Sequence, residues 1–315
     1  MPPVETPVEK WAGKIHEVNL GGDARRLVVG GETTLPFLHF EGAIPHPPAV
    51  AVEVQDRPPA SWAPELRASW GEAMEDPASW AKKAVEYGAD LIVLYLSSAH
   101  PDDQNTGPQE AKKTVTRVLS TVDAPLIILG PGIAEKDNEV LVAAAEAAAG
   151  RRVALGFCEQ KNYRTIIAAC MANNHVAVAK TPVEINLAKQ LNILICDMGL
   201  APDSILMDPT TGALGYGLEY TYSVMERLRL AGLQGDKMAA MPMFCTVGEE
   251  AWRQKEARAT EGIPAAWGDI ATRALRWEEL TAMTLLLAGA DVVVLRHPQV
   301  VQRIKATIQK LMTKE

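Results

Sequence analysis

From Ala49 onward, a short run of Val, Ile, Leu, Met and Ala is followed by a longer stretch with apolar residues at helical spacing, and the pattern recurs eight times. The apolar runs are Val50–Val54, Leu91–Leu96, Leu126–Leu129, Val153–Leu155, Val176–Ala179, Ile205–Met207, Met241–Cys245 and Val292–Leu295. Each is almost continuously hydrophobic, as expected of a parallel strand buried on both faces. The stretches between them predict helices over Trp80–Tyr87, Gln109–Val122, Asn138–Ala149, Arg164–Ala172, Val183–Met198, Tyr220–Gln234, Ile270–Leu287 and Gln299–Met312. Gly-Ala-Asp steps at Gly88–Asp90 and Gly289–Asp291 fit helix ends turning into the next strand. Eight such units with right-handed crossovers close into a single α/β domain, a (β/α)8 TIM barrel. A doubly wound open sheet needs a Gly-rich phosphate turn after its first strand, whereas Val54 is followed by Gln55-Asp56-Arg57-Pro58-Pro59.

The first 48 residues follow a different pattern. Lys14–Leu20 and Arg25–Gly30 are short β-prone runs around Gly21-Gly22-Asp23, which predicts an N-terminal β-hairpin extension closing one barrel end, with the barrel over residues 49–315. Two connections stand out by length: residues 56–78 carry Trp62 and Trp70, and residues 247–269 carry Trp252 and Trp267. In a closed barrel both rise on the same side, as indoles packed under long loops or as a partner-binding rim.

Composition narrows the function classes. With 315 residues, 48% hydrophobic, the chain can bury a large core, and 31 Lys+Arg against 39 Asp+Glu give a net charge of −8. That balance argues against a broad nucleic-acid or anionic-membrane surface. There is no basic stretch leading into an apolar run at the N-terminus and no run of ~20 uncharged apolar residues, so the expected compartment is the cytoplasm. Cys158, Cys170, Cys196 and Cys245 are scattered without a C-x-x-C pair, which predicts reduced, mostly buried thiols and no zinc or iron–sulfur motif.

Polar residues at strand C-termini face the working end of such a barrel. They are Asp56, Ser97, Ser98, Gly130–Gly132, Glu159–Asn162, Lys180, Thr181, Asp208, Thr246, Arg296 and His297. Lys180 ends the run Val-Ala-Val-Ala-Lys and is open to two readings, an ion pair with Glu159 or Asp208 or a Schiff-base nucleophile. Asp208-Pro209 leads into Thr210-Thr211-Gly212-Ala213-Leu214-Gly215-Tyr216-Gly217, where glycine allows close backbone approach to a ligand or merely a flexible turn. His297 precedes Pro298 and is either a base or a cap of the last helix. No H-x-x-x-H, H-E-x-x-H or Gly-x-Ser-x-Gly motif is present.

The segment Val28-Val29-Gly30-Gly31-Glu32-Thr33-Thr34-Leu35-Pro36-Phe37, continuing to His39-Phe40-Glu41-Gly42, is more specific. It resembles the opening of the small (delta) subunit of the corrinoid iron–sulfur protein of the acetyl-CoA synthase/CO dehydrogenase pathway. Further stretches agree in order, among them Val52–Asp56, Glu86–Ile92, Ala188–Ile195, Gly215-Tyr216-Gly217, Leu233–Met238, Cys245–Gly248 and Leu295–Pro298. The resemblance implies a barrel that pairs with a large (gamma) subunit, which holds the [4Fe–4S] cluster and most of the corrinoid domain. It further implies transfer of a methyl group from a methyltetrahydrofolate:corrinoid methyltransferase to acetyl-CoA synthase/CO dehydrogenase in the reductive acetyl-CoA (Wood–Ljungdahl) pathway of carbon fixation. On this resemblance the chain is a non-catalytic scaffold and one wall of the cobalamin site, touching the corrin through Asp56, Lys180, Asp208, Thr210, Thr211, Gly212, Gly215 and Thr246. The Asp-x-His-x-x-Gly corrinoid signature is not kept: Phe37 stands where Asp belongs, so His39 is not expected to ligate cobalt. Two enzyme readings stand beside it, a methyltetrahydropterin-dependent methyltransferase using Asp56, Asn162 and Asp208, and a Schiff-base aldolase using Lys180.

Overall fold

The computed structural model describes residues 6–22 and 25–313. Its first two strands, β1 (Glu17–Gly22) and β2 (Arg25–Gly30), pair antiparallel from Glu17 opposite Gly30 to Gly22 opposite Arg25. The hairpin is therefore formed, with β1 beginning at Glu17 and not Lys14; Asp23 of its expected turn lies outside the described residues. Eight parallel strands follow: β3 (Ala49–Gln55), β4 (Leu91–Tyr95), β5 (Leu126–Leu129), β6 (Ala154–Cys158), β7 (Val176–Lys180), β8 (Ile205–Asp208), β9 (Met243–Cys245) and β10 (Ala290–Leu295). They close in sequence order, with β10 pairing β3 from Val292 opposite Ala49 to Leu295 opposite Val52. Compared with the apolar pattern, Leu96 falls outside β4, β6 runs on to Cys158, and β9 starts at Met243.

The connections hold α1 (Pro64–Trp70), α2 (Pro77–Glu86), α3 (Pro108–Thr121), α4 (Ala134–Ala147), α5 (Tyr163–Asn173), α6 (Ile185–Asp197), α7 (Leu218–Leu233), α8 (Val247–Arg253), α9 (Lys255–Arg258), α10 (Ile270–Leu287) and α11 (Pro298–Leu311). The two long connections are thus not structureless. Residues 56–78 contain α1, and residues 247–269 contain α8 and α9, because each holds closely spaced apolar residues that must be buried. Leu66 and Trp70 supply this in the first connection, and Val247, Ala251 and Trp252 in the second. Trp62, Trp70 and Trp252 are accordingly 5%, 0% and 4% exposed, packed inward and not on a rim; Trp267 alone of the four is open, at 44%.

Strand alternation sorts the core. Val50, Val52, Val54, Ile92, Leu94 and Ile128 face the helices, while Ala51, Val93, Leu129, Val178 and Phe244 fill the barrel together with Val18, Leu20 and Val29 of the hairpin. The hairpin therefore plugs the N-terminal end of the barrel, where each aliphatic side chain it buries contributes about 1.5–3 kcal/mol. A register shift between Leu155 and Cys158 turns Phe157 into the interior and leaves Cys158 facing the helices. Below the strands, fully enclosed Arg229 of α7 donates to Glu32 (3.0 Å), Asp291 (2.7 Å) and the Gly289 carbonyl (2.5 Å), and Asp291 also accepts from the Met243 N–H at 2.6 Å. This cluster fastens the N-terminal segment to the barrel floor. Among the described residues no helix is long and apolar enough to cross a membrane.

Candidate functional site at the barrel mouth

The C-terminal ends of β3, β4, β7, β8 and β10 bring Gln55, Tyr95, Lys180, Asp208 and Arg296 around one mouth. On one side, Glu53 takes a bidentate pair of hydrogen bonds from Arg296, Nε at 2.6 Å and Nη2 at 2.8 Å, plus one from Gln55 Nε2 at 2.8 Å. The guanidinium lies 4.7 Å from the Trp62 ring centroid, so its plane is fixed by a carboxylate and an indole. Next to it Glu278 of α10, with no exposed surface, accepts from the Arg296 N–H (2.5 Å) and from Trp252 Nε1 (2.8 Å). Burial pushes the Glu278 carboxyl up to about 7, against these donors. These groups border a cavity of about 440 Å³ lined by Arg57, Tyr95, His100 and Glu249 as well as Trp62 and Arg296.

His297 is the cap of the last helix: its Nδ1 accepts from the Gln299 N–H at 3.2 Å while its ring stacks on Trp252 at 6.2 Å. Burial, followed by the charge of Arg303, pushes its imidazole down to about 4, so it is neutral at pH 7. His39 lies at the other end of the molecule, bonded to the Leu311 carbonyl at 2.9 Å. Three of the four thiols, Cys158, Cys170 and Cys245, are buried, and burial pushes Cys170 up to about 12.

On the opposite side of the mouth Lys180 and Asp208 sit directly opposite each other on β7 and β8. The ion pair expected of Lys180 with Glu159 or Asp208 is not formed. Its Nζ stands instead 3.8 Å from the centroid of Phe157, the ring that the β6 irregularity turns inward. Asp208 has no exposed surface; its Oδ1 accepts from the Thr210 N–H at 2.8 Å, and its Oδ2 has no partner among the described residues. Burial pushes this carboxyl up to about 6, with Lys180 pulling the other way. Thr210 is held in the left-handed region at φ +66°, which a β-branched residue rarely adopts, and donates its hydroxyl to the Thr181 carbonyl at 2.6 Å.

The remaining expected residues divide by what holds them. Thr211 Oγ1 accepts from the Thr246 N–H at 2.9 Å, so these two lock the ends of β8 and β9 together. Gly212 is required by its own loop, since a Cβ there would stand 2.5 Å from the Gly217 carbonyl oxygen; Gly215, at φ +79°, lies over Trp277. Asp56 turns away from the barrel axis and accepts from the Ser97 and Ser98 hydroxyls at 3.1 and 2.5 Å and from the Ser98 N–H at 3.0 Å; burial nevertheless raises its carboxyl. Asn162 spends its amide on the Glu159 N–H and the Phe157 carbonyl. The mouth thus gathers Lys180, Asp208, Thr210, Thr211 and Thr246, and leaves Asp56 and Asn162 outside. Sequence reasoning missed Glu53 and Glu278, and it named Trp62 as a packed or rim indole but not as the partner of Arg296; the visible signal for Glu53 was a lone carboxylate inside the apolar run Val50–Val54.

The loop after β8, the first turn of α7 and the turn before α10 form an aromatic rim, with Tyr216 72%, Tyr220 67% and Trp267 44% exposed. Among the described residues no group of three or more His, Cys, Asp or Glu is placed to hold a metal ion.

Comparison with known proteins places this architecture. Residues 17–307 match the family described as CO dehydrogenase/acetyl-CoA synthase delta subunit. The acetyl-CoA decarbonylase/synthase complex subunit delta of Archaeoglobus fulgidus is 39% identical over 316 residues, covering 96% of this chain and 70% of that one. Its counterpart in Methanocaldococcus jannaschii is 36% identical over 323 residues, covering 98% and 77%. Among solved structures, dihydropteroate synthase of Xanthomonas albilineans superposes with a TM-score of 0.60 over 95% of this chain and 100% of that chain, at 13% identity, a likeness of fold alone. Barrel, hairpin and chain-long similarity agree: this protein belongs to the CO dehydrogenase/acetyl-CoA synthase delta subunit family.

Proposed function

We propose that the chain is the small barrel subunit of a heterodimeric corrinoid iron–sulfur methyl carrier, and that its mouth covers cobalamin held jointly with a large (gamma) subunit bearing the [4Fe–4S] cluster. The carrier would receive its methyl group from a methyltetrahydrofolate:corrinoid methyltransferase and deliver it to acetyl-CoA synthase/CO dehydrogenase. The observation that carries the reading is the match over residues 17–307 to a complex subunit family.

The residues present fit a corrin, a broad apolar plate with amide edges. Tyr216, Tyr220 and Trp267 offer exposed flat apolar surface, and the orphaned Asp208 Oδ2 and Thr181 Oγ1 are hydrogen-bonding groups without a partner among the described residues. Lys180 and Thr210 would meet the amide edge, and Gly215 would allow close approach. Thr211, Thr246 and Gly212 would hold the shape of the loop, while Asp56 would hold together the ends of β3 and β4 through Ser97 and Ser98. When bound, cobalamin supplies the metal centre that carries the methyl group; this chain binds and shields. Co-expression with the large subunit should give a stable heterodimer with corrinoid absorbance, and a monomeric, colourless chain beside a soluble large subunit would refute the proposal.

The unpartnered oxygen of Asp208 also favours a second reading, a tetrahydropterin-binding methyltransferase, since that oxygen can accept from a pterin N–H. Micromolar binding of a tetrahydropterin by the isolated chain, abolished in Asp208→Ala, supports that reading; no binding removes it.

A further inference from the structure

Beside the mouth, sharing Lys180 with it, a second cavity of about 240 Å³ lies between the β6–α5 turn, the β7–α6 turn and the flank of α6. Its two walls differ in chemistry. Leu187, Leu191 and Leu194 of α6 line one wall; their spacing of four and three residues places them on a single helix face. Lys161, Lys180 and Thr181 line the other. Neither lysine has a salt-bridge partner among the described residues, and Thr181, 7% exposed, has a hydroxyl with no hydrogen-bond partner.

An orphaned buried hydroxyl costs about 1–3 kcal/mol. Its retention beside Lys161, which has no ion-pair partner among the described residues, and beside Lys180, whose ammonium rests on the Phe157 ring, is what a ligand-binding wall requires. Glu159 also borders the cavity, so two lysines against one carboxylate leave a formal excess of one positive charge. The N-terminus of α6 does not supply the anion site, because Glu184 already occupies it, accepting from the Asn186 and Leu187 N–H groups at 2.9 and 2.7 Å.

We infer that this cavity binds a small anion on a short apolar body, a carboxylate or phosphate monoester, with its head group on Lys161, Lys180 and Thr181 and its tail along Leu187, Leu191 and Leu194. The space suits a ligand of roughly ten non-hydrogen atoms, given about 30 Å³ for each water-sized unit and a smaller share for bonded carbons. Gln190, at the edge of the helical wall, offers an amide to the head group. The inference shares Lys180 and the Thr181 hydroxyl with the corrinoid reading, whereas Lys161 and the α6 leucines lie outside the groups assigned to it, so Lys161→Met tests this cavity alone.

The test is titration of the full chain with hexanoate, hexyl phosphate, hexan-1-ol and inorganic phosphate, followed by calorimetry or by amide chemical shifts. Saturable binding of hexanoate, of hexyl phosphate or of both supports the site and identifies the head group. Hexanol and phosphate should each bind at least about tenfold more weakly, since each lacks one half of the recognition, and tenfold corresponds to 1.4 kcal/mol. Lys161→Met should weaken binding about fivefold, the effect of a partly exposed ion pair. Thr181→Val should weaken it by a similar factor and leave the unfolding midpoint unchanged or higher, because it removes a buried hydroxyl that the free chain leaves unbonded. No saturation by either amphiphile, or affinities untouched by both substitutions, overturns the inference.

Discussion

At the floor of the barrel Arg229 is enclosed by Glu32, Asp291 and the Gly289 carbonyl, and Asp291 in turn accepts from the Met243 N–H. At the mouth Lys180 rests on an aromatic ring with no carboxylate in contact, and the Asp208 carboxyl opposite it keeps one oxygen unbonded. Both ends hold a cation and acids among apolar strands. The floor spends nearly all its hydrogen-bonding capacity internally, and among the described residues Arg229 Nε is the buried side-chain atom of the cluster left without a partner. The mouth leaves capacity unspent on the side of β7 and β8 and uses it fully around Glu53 and Glu278. Charge that closes on itself holds a fold together, whereas charge left partly open is available to something outside the chain.

Replacing the cation by an apolar side chain at each end breaks this comparison most directly. Arg229→Met should lower unfolding stability by about 3–5 kcal/mol, because Glu32 and Asp291 are left buried without compensation; a urea midpoint close to that of the wild type would show the cluster to be dispensable. The next effect depends on pH. The carboxyl of Asp208 goes from an ordinary 3.8 to about 6 in the fold, so the native chain binds more protons than the unfolded one between those values. Stability from this group is therefore greatest below pH 4 and is lost as pH rises through about 6. Asp208→Asn keeps an acceptor for the Thr210 N–H and removes the charge, so from pH 4 to pH 8 it should gain about 2–3 kcal/mol on the wild type. Parallel stability–pH curves for the two proteins would contradict this.

Lys180→Met should cost no more than about 1 kcal/mol, the worth of one cation–π contact. It should also move the Asp208 titration to still higher pH, which carboxyl-sensitive infrared or carbon NMR measurements would resolve. The smallest effect on folding belongs to the aromatic rim: Tyr216→Ser and Tyr220→Ser should each alter stability by less than about 0.5 kcal/mol, as exposed substitutions do. In the co-expressed heterodimer the same pair should weaken subunit association or loosen the corrinoid, and unchanged affinity would remove the rim from the proposed interface.

The barrel was legible because a strand buried on both faces must be apolar almost throughout, and each of the eight runs satisfies that rule. The hairpin was legible through Gly21 and Gly22 between two β-prone runs. Less legible were the helices in the connections holding Trp70 and Trp252, where short apolar spacings compete with Pro58, Pro59 and other loop-forming residues. The ion pair of Glu53 with Arg296 spans 243 residues, and only the closure of β10 on β3 brings them together. Glu278 looked like an ordinary polar position in α10; its role depends on three N–H groups converging from β10 and α8. Lys180 was identified as a mouth residue, but its neighbour was set by a one-residue slip in β6 that no periodicity reveals.

The hairpin plug has a consequence for the order in which the chain can be finished during synthesis. Glu32 meets its partner Arg229 197 residues later, and Asn19 meets Arg152 133 residues later. At 5–20 residues per second, a ribosome takes about 10–40 s to make the longer of these intervals. The hairpin is therefore made well before the residues it contacts, and Val18, Leu20 and Val29 have no barrel interior to pack into until the later strands are made. A nascent chain of this protein carries an uncovered apolar hairpin through that interval, and it is there that a folding helper would have to hold it.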